Sequence, residues 1–272
     1  MVRGVELHYI ERGNGVPLVL LHGGQGDYRA WGPHMEALAP HFRVISYSRR
    51  YHYPNHNPIA ADHNALVDAE DLAALITELR LGPVHLVGTS YGAFTALALA
   101  MAHPTMVRSL VLAEAPILGW ATHDSVASGL YRDFLAATHV PAARAFAAGD
   151  DEGAIRAFLD AFDGPGTFAA LPPERRVSIM QNADYFKAIT RATDPYPDVA
   201  KDAVARVRVP ALVVRGAQTH ALDIYVADEL ARVLPHAQTV VIPNAGHGSP
   251  RQQPKAFLEA VFAFLHIDGA TK

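Results

Sequence analysis

The 272-residue chain has no cysteine, which excludes disulfides, thiolate nucleophiles and cysteine-ligated zinc or iron-sulfur centres and leaves the redox compartment open. Charge is sparse: Asp, Glu, Lys and Arg make up 18% of the residues, and the formal net charge is -4. No basic surface points to nucleic acid or an anionic membrane, so a small neutral or modestly polar molecule is the expected partner. Long apolar runs are missing too. The longest, such as Val16 to Leu21, fall far short of the roughly 20 residues needed to cross a bilayer. The opening Met1-Val2-Arg3-Gly4-Val5-Glu6 lacks the basic-then-apolar pattern of a signal peptide, and the expected location is cytoplasmic. Internal repeats and low-complexity segments are absent as well.

What is present is a sizeable core in the making: 50% of the residues are hydrophobic. Short runs of Val, Ile and Leu alternate with helical segments, the pattern of parallel strands covered by helices on both faces. The spacing predicts strands over Val5 to Ile10, Pro17 to Leu21, Arg43 to Tyr47, Val84 to Val87, Ser109 to Ala113, Ala211 to Arg215 and Gln238 to Ile242. Between them Leu66, Ala69, Leu72, Ala73, Ile76 and Leu79 recur at helical steps, as do Phe257, Leu258, Val261, Phe262 and Leu265. Ala93 to Ala102 is apolar all round and predicts a helix packed on every side, starting at Ser90. From Pro116 to about Asp202 the rhythm breaks into Ala-rich helical text with scattered aromatics. The chain therefore divides into an α/β core, 1–115 with 203–272, and an inserted helical cap, 116–202. Some of the cap aromatics are expected to line a pocket.

Three segments carry chemistry. In Gly88-Thr89-Ser90-Tyr91-Gly92 a serine follows a buried strand and opens a buried helix, and the flanking glycines give a tight turn room. A serine hydroxyl is a weak nucleophile near neutral pH and needs a base, itself oriented by a carboxylate. Among the 15 histidines, His247 in Pro243-Asn244-Ala245-Gly246-His247-Gly248 follows the last strand and is the candidate base. Near the N-terminus Leu20-Leu21-His22-Gly23-Gly24-Gln25-Gly26 ends a strand in a glycine-rich loop. That loop matches neither a P-loop nor the G-x-G-x-x-G spacing, but it can aim a backbone N–H at a substrate oxygen. Gly24 is the candidate first oxyanion donor, Gln25 stands close behind, and the N–H of Tyr91 is the second. His22 reads as a packing and hydrogen-bonding residue of the loop.

Together His22-Gly23-Gly24, Gly88-Thr89-Ser90-Tyr91-Gly92 and Gly246-His247-Gly248, in this order and across nearly the whole chain, resemble the α/β-hydrolase superfamily. The resemblance implies an eight-stranded, mostly parallel sheet flanked by helices, a helical cap between strands six and seven, and acyl-enzyme chemistry without a cofactor or metal. It also implies an acid in a Gly-x-x-Asp turn after strand seven. Here that turn reads Gly216-Ala217-Gln218-Thr219, and a hydroxyl cannot stabilise an imidazolium as a carboxylate does. Asp223 lies four residues further on, where the first turn of a helix suits it. Other members of the superfamily, certain dehalogenases and lactonases among them, carry the acid after strand six. At that place this chain has Glu114, among apolar neighbours that make an unpaired charge costly. Glu114 is the favoured acid and Asp223 the alternative.

Substrate contacts are expected from Gln25, from Trp31, which resembles a family aromatic beneath the oxyanion loop, and from Asn182, Tyr185 and Phe186 in the cap. His52, His56 and His63 are irregularly spaced and read as a hydrated loop at the pocket rim, not a metal site. The expected function is hydrolysis of small-molecule carboxylic esters or lactones by Ser90, with room for a homodimer. Carbon–carbon bond, thioester and perhydrolysis chemistry fit the same machinery, and a small-molecule receptor with weak turnover is the alternative from another class. Hydroxynitrile lyase chemistry would need a cation over the pocket, and no lysine stands in the right place, since Lys187 and Lys201 both fall in the cap.

Overall fold

The structure is a computed structural model and describes residues 1–267. Seven strands, β1 (Tyr9–Arg12), β2 (Pro17–Leu21), β3 (Arg43–Tyr47), β4 (Val84–Thr89), β5 (Val107–Ala113), β6 (Ala211–Gly216) and β7 (Ala237–Ile242), form one sheet in the order β1-β3-β2-β4-β5-β6-β7. Only β1 runs antiparallel to its neighbour. The resemblance had implied eight strands, and the difference lies at the N-terminus. The first predicted strand begins only at Tyr9, because Val2 and Val5 bond each other in an isolated antiparallel bridge and present no ladder to the sheet.

The helices are α1 (Gly32–Leu38), α2 (Ala65–Glu78), α3 (Tyr91–Ala102), α4 (Ala127–Ala137), α5 (His139–Ala147), α6 (Asp151–Asp163), α7 (Thr167–Ala170), α8 (Pro173–Met180), α9 (Ala183–Arg191), α10 (Lys201–Ala205), α11 (Ala221–Val233), α12 (Ser249–Gln252) and α13 (Pro254–Phe264). Those from α4 to α10 occupy the connection between β5 and β6, which contains no strand. Among the described residues no helix is long and apolar enough to cross a membrane.

Strand side chains alternate between two cores because successive Cβ atoms point to opposite faces. Val19, Leu21, Leu110 and Leu112 pack with α2 and α3, whereas Leu18, Leu20, Val111 and Val214 pack with α1 and α13. Asn64 caps α2 by accepting the N–H groups of Leu66 and Val67 at 3.0 and 3.3 Å. Ala69, Leu72, Ala73 and Ile76 of α2 are buried as their spacing predicts, while Leu66, in the first turn, is 39% exposed. Helix α3 is buried along nearly its whole length, which its uniformly apolar text requires.

Several polar bonds fasten the helical insertion to the sheet. The Asn182 side chain accepts the Tyr53 N–H at 2.9 Å and donates to Asp27 at 3.1 Å. Tyr91 Oη donates to the Pro195 carbonyl at 2.9 Å, while within the insertion Trp120 Nε1 donates to that of Val199 at 2.6 Å.

Candidate active site

Parallel strands deliver their C-terminal ends to one edge of the sheet, and all four parts of the site follow such ends. At the end of β4, Ser90 has φ +52° and ψ -128°, a conformation that costs a non-glycine residue about 1–3 kcal/mol. Its N–H donates to the Ala113 carbonyl at 2.7 Å and its carbonyl accepts from Ala93 at 2.8 Å, so the turn is pinned from both sides. A Cβ on Gly88 would stand 2.7 Å from the Ala93 backbone, and one on Gly92 would strike the Leu21 and His22 carbonyl oxygens. These two glycines let the elbow pack against β2.

Glu114 directly follows β5, also with positive φ (+51°), and its N–H bonds the Val214 carbonyl at 3.0 Å. His247 follows β7 in a loop tied down by Gly246 N–H donating to Gln252 Oε1 at 2.7 Å. The structure joins these residues in one chain. The Ser90 hydroxyl lies 3.0 Å from His247 Nε2, and His247 Nδ1 lies 2.7 Å from Glu114 Oε2. With a carboxylate at Nδ1 the ring proton belongs there, leaving Nε2 to accept from Ser90.

The Glu114 carboxylate is buried and fully engaged. Gly216 N–H donates to Oε1 and Thr219 Oγ1 to Oε2, both at 2.7 Å. Burial alone would raise its pKa; the bond and charge of His247, with the Gly216 and Thr219 donors, more than offset that and hold it below the usual carboxylate range. Thr219, which stands where the family's common acid is expected, thus donates to the Glu114 carboxylate. Asp223 approaches from the first turn of α11, with Oδ2 at 3.4 Å from His247 Nδ1 and 3.5 Å from Thr219 Oγ1. The shorter bond makes Glu114 the orienting partner, and Asp223 adds a second negative charge. For His247, burial pushes the pKa down, but the Asp223 charge and the bond and charge of Glu114 outweigh it and leave the imidazole well above 6.5. Glu114, Asp223 and His247 offer ligand atoms within 4.8 Å of one another, a set that could hold a cation.

The glycine-rich loop reaches the same edge: a Cβ on Gly23 would stand 3.1 Å from the Ser90 Cβ. Gly24 and Tyr91 both line the cavity at Ser90, and neither N–H has an acceptor among the described residues. Both are free for a ligand oxygen. Gly24 has a second constraint, because any Cβ there would come within 2.6 Å of the Tyr185 ring. Buried His22 organises the loop as its reading suggested: Nδ1–H donates to the Gly23 carbonyl at 2.8 Å, and Nε2 accepts the Arg49 N–H at 3.1 Å. Burial and the neighbouring Arg49 charge press its pKa down to about 3, so this ring is neutral.

The cavity measures about 810 Å³ and is roofed by the helical insertion. Of the predicted contacts, Gln25, Trp31, Tyr185 and Phe186 line it. Trp31 is also nearly fully buried, packed between His34 and Phe257. Asn182 lies outside the lining; its side chain is spent on the ties to Tyr53 and Asp27. Missed by sequence reasoning were Phe162, whose ring is 4.8 Å from that of His247, Tyr196, and the arginines Arg175 and Arg251. A helical wheel of α6 could have flagged Phe158 and Phe162, which share a face. Lys187 and Lys201 pair with Asp151 and Glu229 and do not line the cavity.

The loop bearing His52, His56 and His63 differs from its reading as hydrated rim. Only His56 is exposed; His52 and His63 are buried, with no hydrogen-bond partner for any of their ring nitrogens. The cause is a buried ion pair, Arg49 to Asp68 at 2.7 Å, with Tyr185 stacked on His52 from the cap.

Comparison with known proteins agrees with this geometry. Residues 16–250 match the model of the alpha/beta hydrolase fold family. An (E)-2-((N-methylformamido)methylene)succinate hydrolase from Acinetobacter baylyi is 28% identical over 95% of this chain and 93% of its own. Among solved structures, the enol-lactonase from Burkholderia xenovorans superposes with a TM-score of 0.77 at 24% identity, covering 97% of this chain and 98% of its own. A thermophilic esterase from Thermogutta terrifontis gives 0.72 at 24% identity, over 96% and 93%. The chain belongs to the alpha/beta hydrolase fold family and is a hydrolase of that type.

Proposed function

We propose that the protein hydrolyses carboxylic esters or lactones of small molecules through an acyl-enzyme on Ser90. The observation that carries this reading is the continuous hydrogen-bonded chain Ser90–His247–Glu114, opening onto a cavity where two unpartnered backbone N–H groups stand beside the nucleophile. Ser90 Oγ attacks the carbonyl carbon while His247 Nε2 takes its proton, and Glu114 steadies the imidazolium. The carbonyl oxygen, now negative, accepts from the N–H groups of Gly24 and Tyr91; losing one such donor typically costs 10²–10³-fold in rate. The tetrahedral adduct collapses, and His247 hands its proton to the departing alcohol. Water then enters, gives a proton to His247 and attacks the acyl carbon. The acid leaves and Ser90 regains its proton. For a lactone the alcohol and acid remain one molecule. The related succinate-derivative hydrolase, the enol-lactonase fold and the esterase fold support a carbonyl substrate.

The test is steady-state turnover of p-nitrophenyl butyrate and of a small lactone panel, with a phosphonate probe and mass analysis to locate the modified residue. Many turnovers, abolished by Ser90→Ala, and a phosphonyl adduct on Ser90 are expected. One burst followed by silence would instead mark a receptor, and turnover that survives Ser90→Ala would sink the serine mechanism.

A further inference from the structure

Three arginines, Arg29, Arg175 and Arg251, line the cavity onto which Ser90 opens. Their partnerships differ. Arg29 is neutralised: its guanidinium grips both oxygens of Asp27, at 2.8 and 2.6 Å, and also donates to Gln181. Among the described residues the side chains of Arg175 and Arg251 enter no hydrogen bond and no ion pair. Arg175 sits half-buried on α8, over the cavity. Arg251 sits on α12 at the exposed rim, four residues beyond His247, and its Nη2 lies 3.2 Å from where a Cβ on Gly248 would stand. That places the second guanidinium against the loop of the catalytic base.

The unpaired guanidinium of Arg175, partly drawn out of water, loses solvation with nothing in return. Burial lowers the pKa of Arg175, and the Arg251 charge presses it in the same direction, so each feels the other. The remaining cavity wall is largely apolar, with Phe134, Phe158 and Phe162 among its members. Of three lining carboxylates, Asp223 is turned to His247 and Thr219, and two could compete. Asp133 is exposed, and Asp163 pulls on Arg175 electrostatically without forming an ion pair. A planar, five-donor guanidinium matches a carboxylate, the anion an ester or lactone of an organic acid most simply carries, through two parallel hydrogen bonds.

We infer that Arg175 and Arg251 form an anion subsite, and that the substrates are esters or lactones carrying a free carboxylate in addition to the scissile carbonyl. The statement about substrates rests on the ester-hydrolase reading; the subsite itself does not. Binding energy collected at the remote carboxylate fixes the carbonyl against Ser90, so its loss lowers kcat/KM for the anionic substrate.

Two measurements test this and keep its failure apart from that of the ester reading. In Ser90→Ala protein, titration calorimetry at fixed ionic strength compares glutarate with neutral glutaramide. Glutarate should bind roughly ten- to a hundredfold more tightly, the worth of charge-assisted hydrogen bonds. Adding Arg175→Met should remove that preference, and Arg175→Lys should restore part of it. Arg176→Met is the control, because its guanidinium covers Phe168 and bonds the Ala169 carbonyl. Equal binding of the two probes, or glutarate binding undiminished in an Arg175→Met, Arg251→Gln double variant, overturns the subsite. In the active protein, kcat/KM for 4-nitrophenyl hemiglutarate should exceed that for its chain-length-matched neutral ester by roughly tenfold or more, and Arg175→Met should collapse the ratio. Turnover of both esters without preference sinks the anion subsite and leaves the ester reading standing. Inert esters with arginine-dependent glutarate binding do the reverse.

Discussion

Two groups of histidines flank Ser90, and the sheet treats them in opposite ways. His247 has both ring nitrogens bonded and two carboxylates within 3.4 Å, and its pKa is held well above 6.5. His22, within the glycine-rich loop, and His52 and His63 behind it are buried beside the Arg49 cation, and all three are pushed below 6.5, first by burial and then, at His22 and His52, by Arg49. At His63 the Asp68 carboxylate works against that fall without reversing it. Burial by itself makes histidine a neutral polar filler. Carboxylate partners convert it into a base with somewhere to send its charge.

The largest way to break this contrast is to remove Ser90 or His247, the pair proposed to react. Ser90→Ala or His247→Ala should lower kcat by about 10⁵–10⁶-fold, the scale seen when a serine hydrolase loses either member. A loss below a hundredfold in His247→Ala would place the base elsewhere, among the histidines now read as filler. Glu114→Gln should cost about 10³–10⁴-fold, because an amide at Nδ1 neither fixes the tautomer nor stabilises the imidazolium. Asp223→Asn should cost much less, since its oxygen is 3.4 Å from Nδ1 while that of Glu114 is at 2.7 Å. If only Asp223→Asn collapses acylation, the two carboxylates exchange roles.

The filler side is broken through its ion pair. Arg49 and Asp68 are each 1% exposed, and Arg49→Met would strand a buried carboxylate. A stability loss of about 3–5 kcal/mol is expected, read from urea unfolding. An unchanged midpoint would mean that the pair is hydrated and that the neighbouring histidines are less isolated than their bonding implies.

Most of the sheet was legible because a strand buried on both faces has to be a short run of Val, Ile and Leu, and β2 and β3 fall at their predicted bounds. Ser90 and His247 were legible for local reasons: glycines that must sit beside a tight backbone mark the Ser90 turn, and His247 stands in a small-residue loop directly after the last strand. Glu114 could be read only as one of two carboxylates. Its partner lies in another βα loop, and whether Glu114 or Asp223 comes closer to Nδ1 depends on the relative advance of β5 and β6. The histidine loop was misread because a polar text such as Ser48-Arg49-Arg50-Tyr51-His52 looks solvated. What buries it is a pair of carboxylates on α2, Asp68 against Arg49 and Asp71 against Arg50, and a tyrosine from the cap, none visible in the loop's own residues. The eighth strand failed for a smaller reason of the same kind, since Val2 and Val5 satisfied each other.

The smallest effect, and the sharpest comparison, is in pH. A base must be neutral to accept the Ser90 proton, so the acid limb of kcat/KM should lie above the ordinary histidine value of about 6.5. Asp223→Asn removes one of the charges that raise it and should move that limb down. For stability the signs oppose. His247, raised on folding, stabilises the fold fully below about pH 6.5, and that contribution fades as pH climbs through its folded pKa. His22, His52 and His63, lowered on folding, contribute fully above about pH 6.5 and lose their contribution as pH falls, because the unfolded chain takes up protons that the fold refuses. Each such histidine steepens the fall by at most about 1.4 kcal/mol per pH unit. His52→Phe keeps a ring against Tyr185 and removes one of those protons. Unfolding free energies between pH 6.5 and 5 should therefore fall less steeply in His52→Phe than in the parent, while the kinetic acid limb stays where it was. A limb that moved with His52→Phe would mean that the two histidine groups titrate as one, and that the division drawn between base and filler is false.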